Sequence, residues 1–314
     1  MNRRGVLKSV AATFAGAGLI DAGDRASGVR GNKPSASRTK RQSMPFIETS
    51  DGVALFYRDW GRGRPIVFLA PWTLHSDWWE YQMAYSVGEG FRCIAYDRRG
   101  HGRSVETSDG YEFDTLANDL NALIERLELR DVTLVGQSMG SGEVVRYLSR
   151  HGSGRVGRVV LIAPVTPFLL KTADNPDGVD GSNFEKVRQA LCTDRPNVIT
   201  TFAPTFFGAP KNPVSAEIMQ WWADMALQCS LKVTLDLNHA FTETDFRADL
   251  RTIKLPVLII HGDNDASTPI EITGRKTANL IAGSQLKVYE GAAHGLNITH
   301  MDRFNRDLVA FIKN

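Results

Sequence analysis

The chain contains 314 residues, 42% of them hydrophobic and 23% charged, a composition that can bury a large core in one domain with an insertion. Its formal net charge of +2 is unevenly distributed, since residues 1–44 hold nine Lys or Arg against two Asp. The remaining residues hold 28 Lys or Arg and 33 Asp or Glu, so the body is mildly acidic and is not expected to bind nucleic acid.

The amino terminus has the pattern of an export signal. Arg3-Arg4 precede Leu7-Lys8, and an apolar stretch of 11 residues follows over 10–20. This stretch is too short and too rich in Gly and Ala to span a bilayer. The paired arginines followed by Leu-Lys resemble a twin-arginine signal, which serves folded passengers.

We therefore expect residues 1–26 to be an export signal, cleaved near Ala22 or Ala26, and residues 27–44 to be a disordered linker. The mature protein would then be periplasmic or secreted and would have no membrane span. A disordered basic tail on a cytoplasmic protein is the alternative.

Strands and helices alternate along the next part of the chain. Asp51-Gly52 between two strand-like runs predicts a hairpin. Apolar runs predict further buried strands, and amphipathic spacing predicts helices between them. This alternation is typical of a mostly parallel sheet with helices on both faces. The predicted strands are 65–69, 91–96, 132–135, 156–163, 255–262 and 285–289, and the predicted helices include 78–87, 115–127 and 301–312.

The stretch from 132 to 148 carries the pattern on which the functional interpretation depends. An apolar run leads into Gly136-Gln137-Ser138-Met139-Gly140, and helical spacing follows, so Ser138 is predicted at a sharp strand-to-helix turn. Glycines on either side let backbone segments pass that a Cβ would push apart. Such a turn presents a hydroxyl as a nucleophile, although a Gly-rich turn without chemistry has the same local pattern.

The alternation stops between about 165 and 249. This segment is rich in Phe and Trp with Pro and Gly breaks, and we interpret it as a helical cap over the carboxyl ends of the strands. Phe168, Phe206 and Trp221 are the candidate substrate-binding residues of this cap. Most of its aromatic side chains are expected to pack the core of the cap itself.

Three residues fall just past the carboxyl ends of successive strands, where ligands of an open α/β sheet bind: Ser138, Asp265 and His294. A serine hydroxyl is a poor nucleophile at neutral pH, so an imidazole must take its proton and a carboxylate must orient that imidazole. We therefore assign His294 as base and then acid, and Asp265 as the orienting carboxylate. Asp263 competes for the last role, but it comes right after the strand and is expected to face the loop.

An acyl-transfer site also needs two donors for the oxyanion. The backbone N–H of Met139, at the start of the helix after Ser138, is the first candidate. The second should come from the loop after strand 65–69, where Pro71 has no N–H and Trp72 is therefore the best candidate.

The remaining histidines and the cysteines show no metal-ligand spacing. We expect His261 to be packed at a strand end and His101 to belong to a tight turn. Cys93 lies in an apolar run and is expected to be a buried small residue. The sequence leaves open whether Cys192 and Cys229 form a disulfide.

With these residues placed, the chain resembles the α/β-hydrolase superfamily, and within it the bacterial arylesterase and cofactor-free haloperoxidase (perhydrolase) group. The resemblance implies one domain over 45–314, with a mostly parallel eight-stranded sheet, helices on both faces and a small helical cap. It implies no cofactor and no metal. By resemblance, Ser138, Asp265 and His294 match the triad of the family, and Trp72 and Met139 match its oxyanion donors. The narrower match rests on the segments 79–83, 95–104, 142–147, 163–171 and 294–300.

Two departures from the family pattern concern the oxyanion loop. Members of the family usually have His-Gly before the oxyanion aromatic residue, and this chain has Ala70-Pro71. Members with strong perhydrolase activity typically carry Pro after that aromatic residue, and this chain has Thr73. The second departure favours ester hydrolysis over formation of peroxyacids.

The leading hypothesis is a serine carboxylesterase that acts on small esters, with lactones as further substrates, through an acyl-enzyme. An alternative keeps the site and lets hydrogen peroxide attack the acyl-enzyme, so that the peracid formed oxidises halide. Amide or lactam hydrolysis and a non-catalytic binding protein with a blocked oxyanion hole are further alternatives. The expected partner is a small-molecule ester, and the sequence is silent on oligomeric state.

Overall fold

A computed structural model describes residues 45–314 of the protein. The predicted export signal 1–26 and linker 27–44 lie outside the described residues. Eight strands are present in this part of the chain: β1 (Phe46–Glu48), β2 (Ala54–Gly61), β3 (Pro65–Leu69), β4 (Arg92–Tyr96), β5 (Val132–Gln137), β6 (Val156–Ile162), β7 (Val257–Gly262) and β8 (Gln285–Tyr289).

These strands form one sheet in the order β1-β2-β4-β3-β5-β6-β7-β8. The first two pairings, β1 with β2 and β2 with β4, are antiparallel, and all later pairings are parallel. The predicted mostly parallel eight-stranded sheet is therefore confirmed. Because β3, β5, β6, β7 and β8 run in the same direction, their carboxyl ends meet at one edge of the sheet.

Helices connect most of the strands. A 3₁₀ turn over Ser76–Trp79 precedes the first of them. The α-helices are α1 (Glu80–Gly88), α2 (Phe113–Arg126), α3 (Met139–His151), α4 (Gly181–Phe207), α5 (Ala216–Gln228), α6 (Leu231–Glu243), α7 (Arg247–Thr252), α8 (Gly274–Leu280), α9 (Leu296–Thr299) and α10 (Met301–Lys313). The sequence analysis did not name α7 and α9, which are too short to show a helical period.

Two apolar cores cover the two faces of the sheet. In β3, Val67 and Leu69 belong to one core, and Ile66 and Phe68 belong to the other, as expected for side chains that alternate along a strand. Residues of α2 and α3 complete the first core, and residues of α1 and α10 complete the second. Since both faces are covered, the central strands are buried and mostly apolar.

The segment between β6 and β7 folds mainly as the helices α4, α5 and α6. Two isolated bridges, Leu170 with Val179 and Thr172 with Asn175, close the loop that leads into α4. Ser215 caps α5 and Ser230 caps α6, since each side chain accepts from a backbone N–H in the first turn. This helical segment is called the cap below.

The turn between β5 and α3 should tolerate no side chain at Gly136. A Cβ there would lie 2.4 Å from the carbonyl oxygen of Gly140, and a backbone atom cannot move away as a side chain can. We expect Gly136→Ala to lower the free energy of unfolding in urea by about 1–3 kcal/mol through overpacking.

The matched control is Gly154→Ala, because nothing lies within 4 Å of a Cβ at that position. This substitution should change the free energy of unfolding by no more than about 0.5 kcal/mol. Equal stability of the two variants would contradict the close packing described for the turn.

Candidate active site

Ser138 occupies the turn between β5 and α3 with φ 53° and ψ −118°. A positive φ is unfavourable for a residue with a Cβ, so contacts around the turn must hold it. The Ser138 N–H donates to the carbonyl of Ile162 at 2.8 Å, and its own carbonyl accepts from the N–H of Ser141 at 3.0 Å. The strained turn directs the serine side chain to the carboxyl edge of the sheet, where it borders a cavity.

Gly140 brings a second loop against this turn. A Cβ on Gly140 would lie 2.5 Å from the carbonyl oxygen of Leu69, the last residue of β3. The absence of a side chain therefore allows residues 70–73, which follow β3, to pass beside the start of α3. The two segments with the predicted oxyanion donors are thus adjacent.

Asp265 and His294 lie together at the same edge of the sheet. His294 Nδ1 is 2.7 Å from Asp265 Oδ2, and both side chains are buried. The other carboxylate oxygen accepts from the backbone N–H groups of Ser267 at 2.8 Å and Thr268 at 3.0 Å. Burial alone would raise the pKa of the Asp265 carboxyl, but His294 and His261 hold that pKa well below its usual range. The carboxylate is therefore charged at neutral pH and can fix the His294 tautomer.

Asp263, the competing candidate, lies in a different environment. It is exposed, and its Oδ1 accepts from the backbone N–H of Gly291 at 2.6 Å. Asp263 therefore fastens the loop after β8, whereas Asp265 contacts the imidazole of His294.

His261 contacts the same carboxylate, which the sequence analysis did not anticipate. Its Nε2 lies 2.8 Å from the carbonyl oxygen of Thr268 and 3.3 Å from Asp265 Oδ2. A carbonyl oxygen can only accept, so Nε2 carries the hydrogen and shares it with the carboxylate. The Thr268 hydroxyl also donates to Asp265 Oδ2, at 3.1 Å. The position of His261 near the end of β7, four residues before Asp265, was the available signal.

Gln137 joins the serine turn to the main chain of His294. Its Nε2 donates to the His294 carbonyl at 2.9 Å, and its Oε1 accepts from the indole N–H of Trp78 at 2.7 Å. The residue directly before Ser138 thus fixes the loop that carries the imidazole. Gln137 is fully buried, and a buried amide is expected to be hydrogen-bonded. Its place at the end of a predicted buried strand could have indicated such a bond, but not that the partner is His294.

The roles assigned to Ser138, His294 and Asp265 require a hydrogen bond from the serine to the imidazole and another from the imidazole to the carboxylate. The structure contains the bond between His294 and Asp265. Ser138 and His294 border the same cavity, and within residues 45–314 the serine hydroxyl has no hydrogen-bond partner. A hydroxyl can turn between staggered rotamers, and catalytic hydrogen bonds commonly tighten only when substrate is bound.

The predicted oxyanion donors are Trp72 and Met139. The Trp72 indole N–H donates to the carbonyl of Thr234 in α6 at 3.0 Å, which anchors the loop to the cap. Met139 is fully buried as the first residue of α3. Neither backbone N–H has an acceptor within residues 45–314. Two unengaged N–H groups beside a serine are what an oxyanion hole requires.

Thr73 has a backbone conformation that bears on the departure from the family pattern. Its φ is 66°, and its hydroxyl donates to the carbonyl of Trp72 at 2.6 Å. The pyrrolidine ring of proline locks φ near about −65°. Proline therefore cannot take the place of Thr73 unless the loop that carries Trp72 changes shape.

A cavity of about 480 Å³ opens between the sheet edge and the cap. Its walls are mostly apolar and aromatic, and apart from the His294 imidazole no ionisable side chain lines it in the part of the chain described here. The lining comprises Pro71, Trp72, Thr73, Ser138, Phe184, Val187, Leu191, Val198, Ile199, Thr201, Phe202, Thr205, Phe206, Trp222, Asn238, Phe241, Ser267, Thr268 and His294.

Comparison with known protein families identifies the family to which this fold belongs. Residues 64–301 match a family model described as alpha/beta hydrolase fold. The chain belongs to the α/β-hydrolase family. The predicted fold class is confirmed, and the chain is a hydrolase.

Similar proteins narrow the group within the hydrolase family. The chain is 44% identical over 273 residues to non-heme chloroperoxidase CPO-A1 of Kitasatospora aureofaciens, a match that covers 86% of this chain and 99% of that protein. It is 39% identical over 276 residues to the bifunctional esterase/perhydrolase DCH of Acinetobacter calcoaceticus, covering 86% and 100%. The crystal structure of a bromoperoxidase from Bacillus anthracis superposes with a TM-score of 0.83 at 41% identity, covering 86% and 99%. The predicted haloperoxidase and perhydrolase group is confirmed.

Of the aromatic residues predicted to bind substrate, Phe206 lines the cavity of this hydrolase and Phe168 does not. Phe168 lies beneath the guanidinium of Arg247, whose central carbon is 5.4 Å from the ring centroid. It packs the loop after β6, so its assignment to the substrate site is corrected.

Trp221 also lies outside the cavity, and the neighbouring Trp222 lines it. Trp221 stacks on Trp78, with ring centroids 5.8 Å apart. Successive residues of a helix point about 100° apart, so the two tryptophans face different directions. Helical spacing alone did not show which of the two lines the cavity, so the assignment of Trp221 to the substrate site is corrected to Trp222.

The question of a disulfide is answered by the structure, in which Cys93, Cys192 and Cys229 are all free thiols. Burial raises the pKa of Cys93 to about 12 and that of Cys229 to about 11. Among residues 45–314, no group of His, Cys, Asp or Glu side chains is arranged to hold a metal ion. In the same range, no helix is both long enough and apolar enough to cross a membrane.

The two aspartates after β7 give a direct test of the site. Asp265→Asn should lower kcat for a p-nitrophenyl ester by about 10⁴-fold, because the imidazole loses the acceptor that fixes its tautomer. Asp263→Asn is the matched control and should stay within about twofold of the parent, since its partner is a loop N–H. Similar losses in the two variants would contradict the assignment of Asp265.

Proposed function

We propose that this hydrolase cleaves small, uncharged carboxylic esters and lactones through an acyl-enzyme formed on Ser138. The observation that carries the proposal is the 2.7 Å hydrogen bond between Asp265 and His294, at the edge of the cavity that the strained Ser138 borders. His294 is the base and then the acid, and Asp265 orients it. The name esterase/perhydrolase of the similar Acinetobacter protein supports the same chemistry.

In the first half of the reaction, the Ser138 hydroxyl attacks the acyl carbon and its proton passes to the imidazole of His294. The carbonyl oxygen becomes an oxyanion, which accepts from the N–H groups of Met139 and Trp72. The tetrahedral intermediate collapses, the bond to the alcohol oxygen breaks, and His294 gives its proton to that oxygen. The alcohol leaves, and the acyl group stays on Ser138.

In the second half, water takes the position of the alcohol. His294 removes a proton from water as its oxygen attacks the acyl carbon, and the same two N–H groups hold the oxyanion. Collapse of this intermediate breaks the bond to the serine oxygen, which recovers its proton from His294. The free acid is released, and the enzyme returns to its starting state.

The lining of the cavity supports uncharged substrates. A charged group in a mostly apolar site needs a partner of opposite charge, and the described lining offers none apart from the His294 imidazole. The volume of about 480 Å³ fits a small ester or a lactone ring.

Perhydrolysis is the second candidate function, and the names of the similar chloroperoxidase and esterase/perhydrolase favour it. Hydrogen peroxide would replace water in the second half of the reaction and release a peracid, which then oxidises halide. The conformation of Thr73 distinguishes this chain from the pattern expected for strong perhydrolases, so we propose that hydrolysis is the main activity.

The decisive test is Ser138→Ala. This variant should lose turnover of p-nitrophenyl acetate by about 10³-fold to 10⁶-fold, since only the oxyanion donors remain. A fluorophosphonate probe should label the parent on Ser138 and should not label the variant, as mass spectrometry of the peptide would show. A non-catalytic binding protein with a blocked oxyanion hole would give no labelling in either.

Ser86→Ala is the matched control, because Ser86 is also a buried serine but does not line the cavity. It should be labelled and should turn over substrate as the parent does. Unchanged turnover in Ser138→Ala would refute the acyl-enzyme mechanism.

Thr73→Pro tests the balance between the two functions. Proline cannot adopt the φ of 66°, so the substitution should shift the Trp72 N–H and lower kcat/KM for ester hydrolysis at least about tenfold. Halogenation that depends on acetate and peroxide should not rise. Thr73→Asn is the control, since asparagine tolerates a positive φ. A gain of halogenation in Thr73→Pro would mean that the loop adapts to proline.

A further inference from the structure

One polar side chain in the cap portion of the cavity has no role in the proposed chemistry. Asn238 of α6 lines the cavity near Leu191 and Phe241 and is 3% exposed. Thr201 and Thr205 are exposed residues of the lining, and the other polar side chains in it belong to the sheet edge and to the loop after β3. A buried amide among apolar walls is unfavourable unless its groups are hydrogen-bonded.

The orientation of the Asn238 amide is fixed by Arg188 of α4. Arg188 Nε donates to Asn238 Oδ1 at 2.9 Å, and Arg188 is itself 8% exposed. The guanidinium continues to Thr242 Oγ1 and Glu243 Oε1, each at 2.8 Å. Because a guanidinium has donors and no acceptor, the amide must turn its oxygen toward Arg188. The Nδ2 group then points away from Arg188.

The Nδ2 group of Asn238 donates to no acceptor within residues 45–314, although its oxygen is paired. This NH₂ group is not fully enclosed by protein, and Asn238 borders the cavity. The result is a donor held in a fixed direction at an otherwise apolar wall. The link between α4 and α6 uses only the oxygen of Asn238, which accepts from Arg188. It does not use the NH₂ group.

The position of Asn238 relates this donor to the acyl side of the site. Thr234, one turn earlier in α6, holds the indole of Trp72, and Phe241 packs on the same indole with ring centroids 5.4 Å apart. The leaving alcohol must lie beside His294, whose ring packs on Phe206 at 5.3 Å. With the alcohol on the His294 side, the acyl chain would extend on the Trp72 side of the site, along α6.

On the basis of the proposed esterase function, we propose that Asn238 Nδ2 binds a second, uncharged acceptor oxygen in the acyl chain of the substrate. The substrate class is then an ester or lactone whose acyl part carries an ether, hydroxyl or carbonyl oxygen. A carboxylate is not matched, because the charge of Arg188 is already paired with Glu243 and its Nε is engaged by Asn238.

The test uses p-nitrophenyl heptanoate and the analogues in which each acyl-chain methylene beyond the one next to the carbonyl is in turn replaced by oxygen. In the parent, kcat/KM relative to the heptanoate should reach a maximum at one oxygen position. Asn238→Asp, assayed where its carboxyl is ionised, keeps the acceptor for Arg188 and loses the donor. Asn238→Leu loses both. Both variants should lower the preference at that position by about tenfold, the effect of one neutral hydrogen bond, with much smaller changes for the heptanoate.

Thr242→Val is the matched control, since it removes a partner of Arg188 without changing the cavity wall. Its oxygen preference should equal that of the parent. A flat series in the parent would overturn the assignment of Asn238. A preference that survives in Asn238→Asp and Asn238→Leu would do the same.

A binding measurement separates this inference from the proposed function. The same esters bound to Ser138→Ala should quench the fluorescence of Trp72 and Trp222, which line the cavity. The dissociation constants should show the same oxygen preference. In the double variant that carries Ser138→Ala and Asn238→Asp, this preference should be lost. If the parent fails to hydrolyse any of the esters, the proposed function fails, and the binding preference still decides the role of Asn238.

Discussion

The guanidinium of Arg98 holds together the two segments that carry the candidate oxyanion donors. Arg98 is buried just after β4, where Nε donates to Glu143 Oε1 at 2.6 Å and Nη2 donates to the carbonyl of Ala70 at 2.7 Å. Ala70 begins the loop that contains Trp72, and Glu143 lies one turn after Met139 in α3. Removal of one partner from a buried ion pair typically costs about 3–5 kcal/mol, because the other charge is left unpaired. The spacing of the two donors therefore depends on an interaction that is expensive to break.

His101, in the tight turn after β4, lies next to the guanidinium of Arg98. Its Nδ1 lies 2.9 Å from the carbonyl oxygen of Arg99, so Nδ1 carries the hydrogen. Burial and the charge of Arg98 hold the pKa of His101 well below its usual range, so the imidazole stays neutral. Its Nε2 is 3.5 Å from Arg98 Nη1 and presents a lone pair to the cation. The turn therefore leaves Arg98 beside an acceptor and adds no second positive charge.

The candidate catalytic residues could be placed from the sequence because their positions follow from a local pattern. Ser138, Asp265 and His294 each come shortly after a strand, and parallel strands bring their carboxyl ends to one edge. The residues that hold or complete the site could not be predicted in this way. Gln137 binds the main chain of a residue 157 positions later, and Asn238 binds a side chain 50 positions earlier. Such pairs are set by the packing of distant elements, and polar residues at these positions carry no sequence period that names the partner.

The cap helix α4 is bent within the part that borders the cavity. Asp194 has φ −154° and ψ 75°, and Pro196 has no N–H to continue the helical ladder. The Asp194 carboxylate accepts from the N–H of Asn197 at 3.1 Å and so begins the second half of the helix. Leu191 before the bend and Ile199 after it both line the cavity. Both halves of the helix therefore contribute to the cavity wall. The candidate catalytic residues lie at the sheet edge, so the cap can change what the cavity binds without moving them.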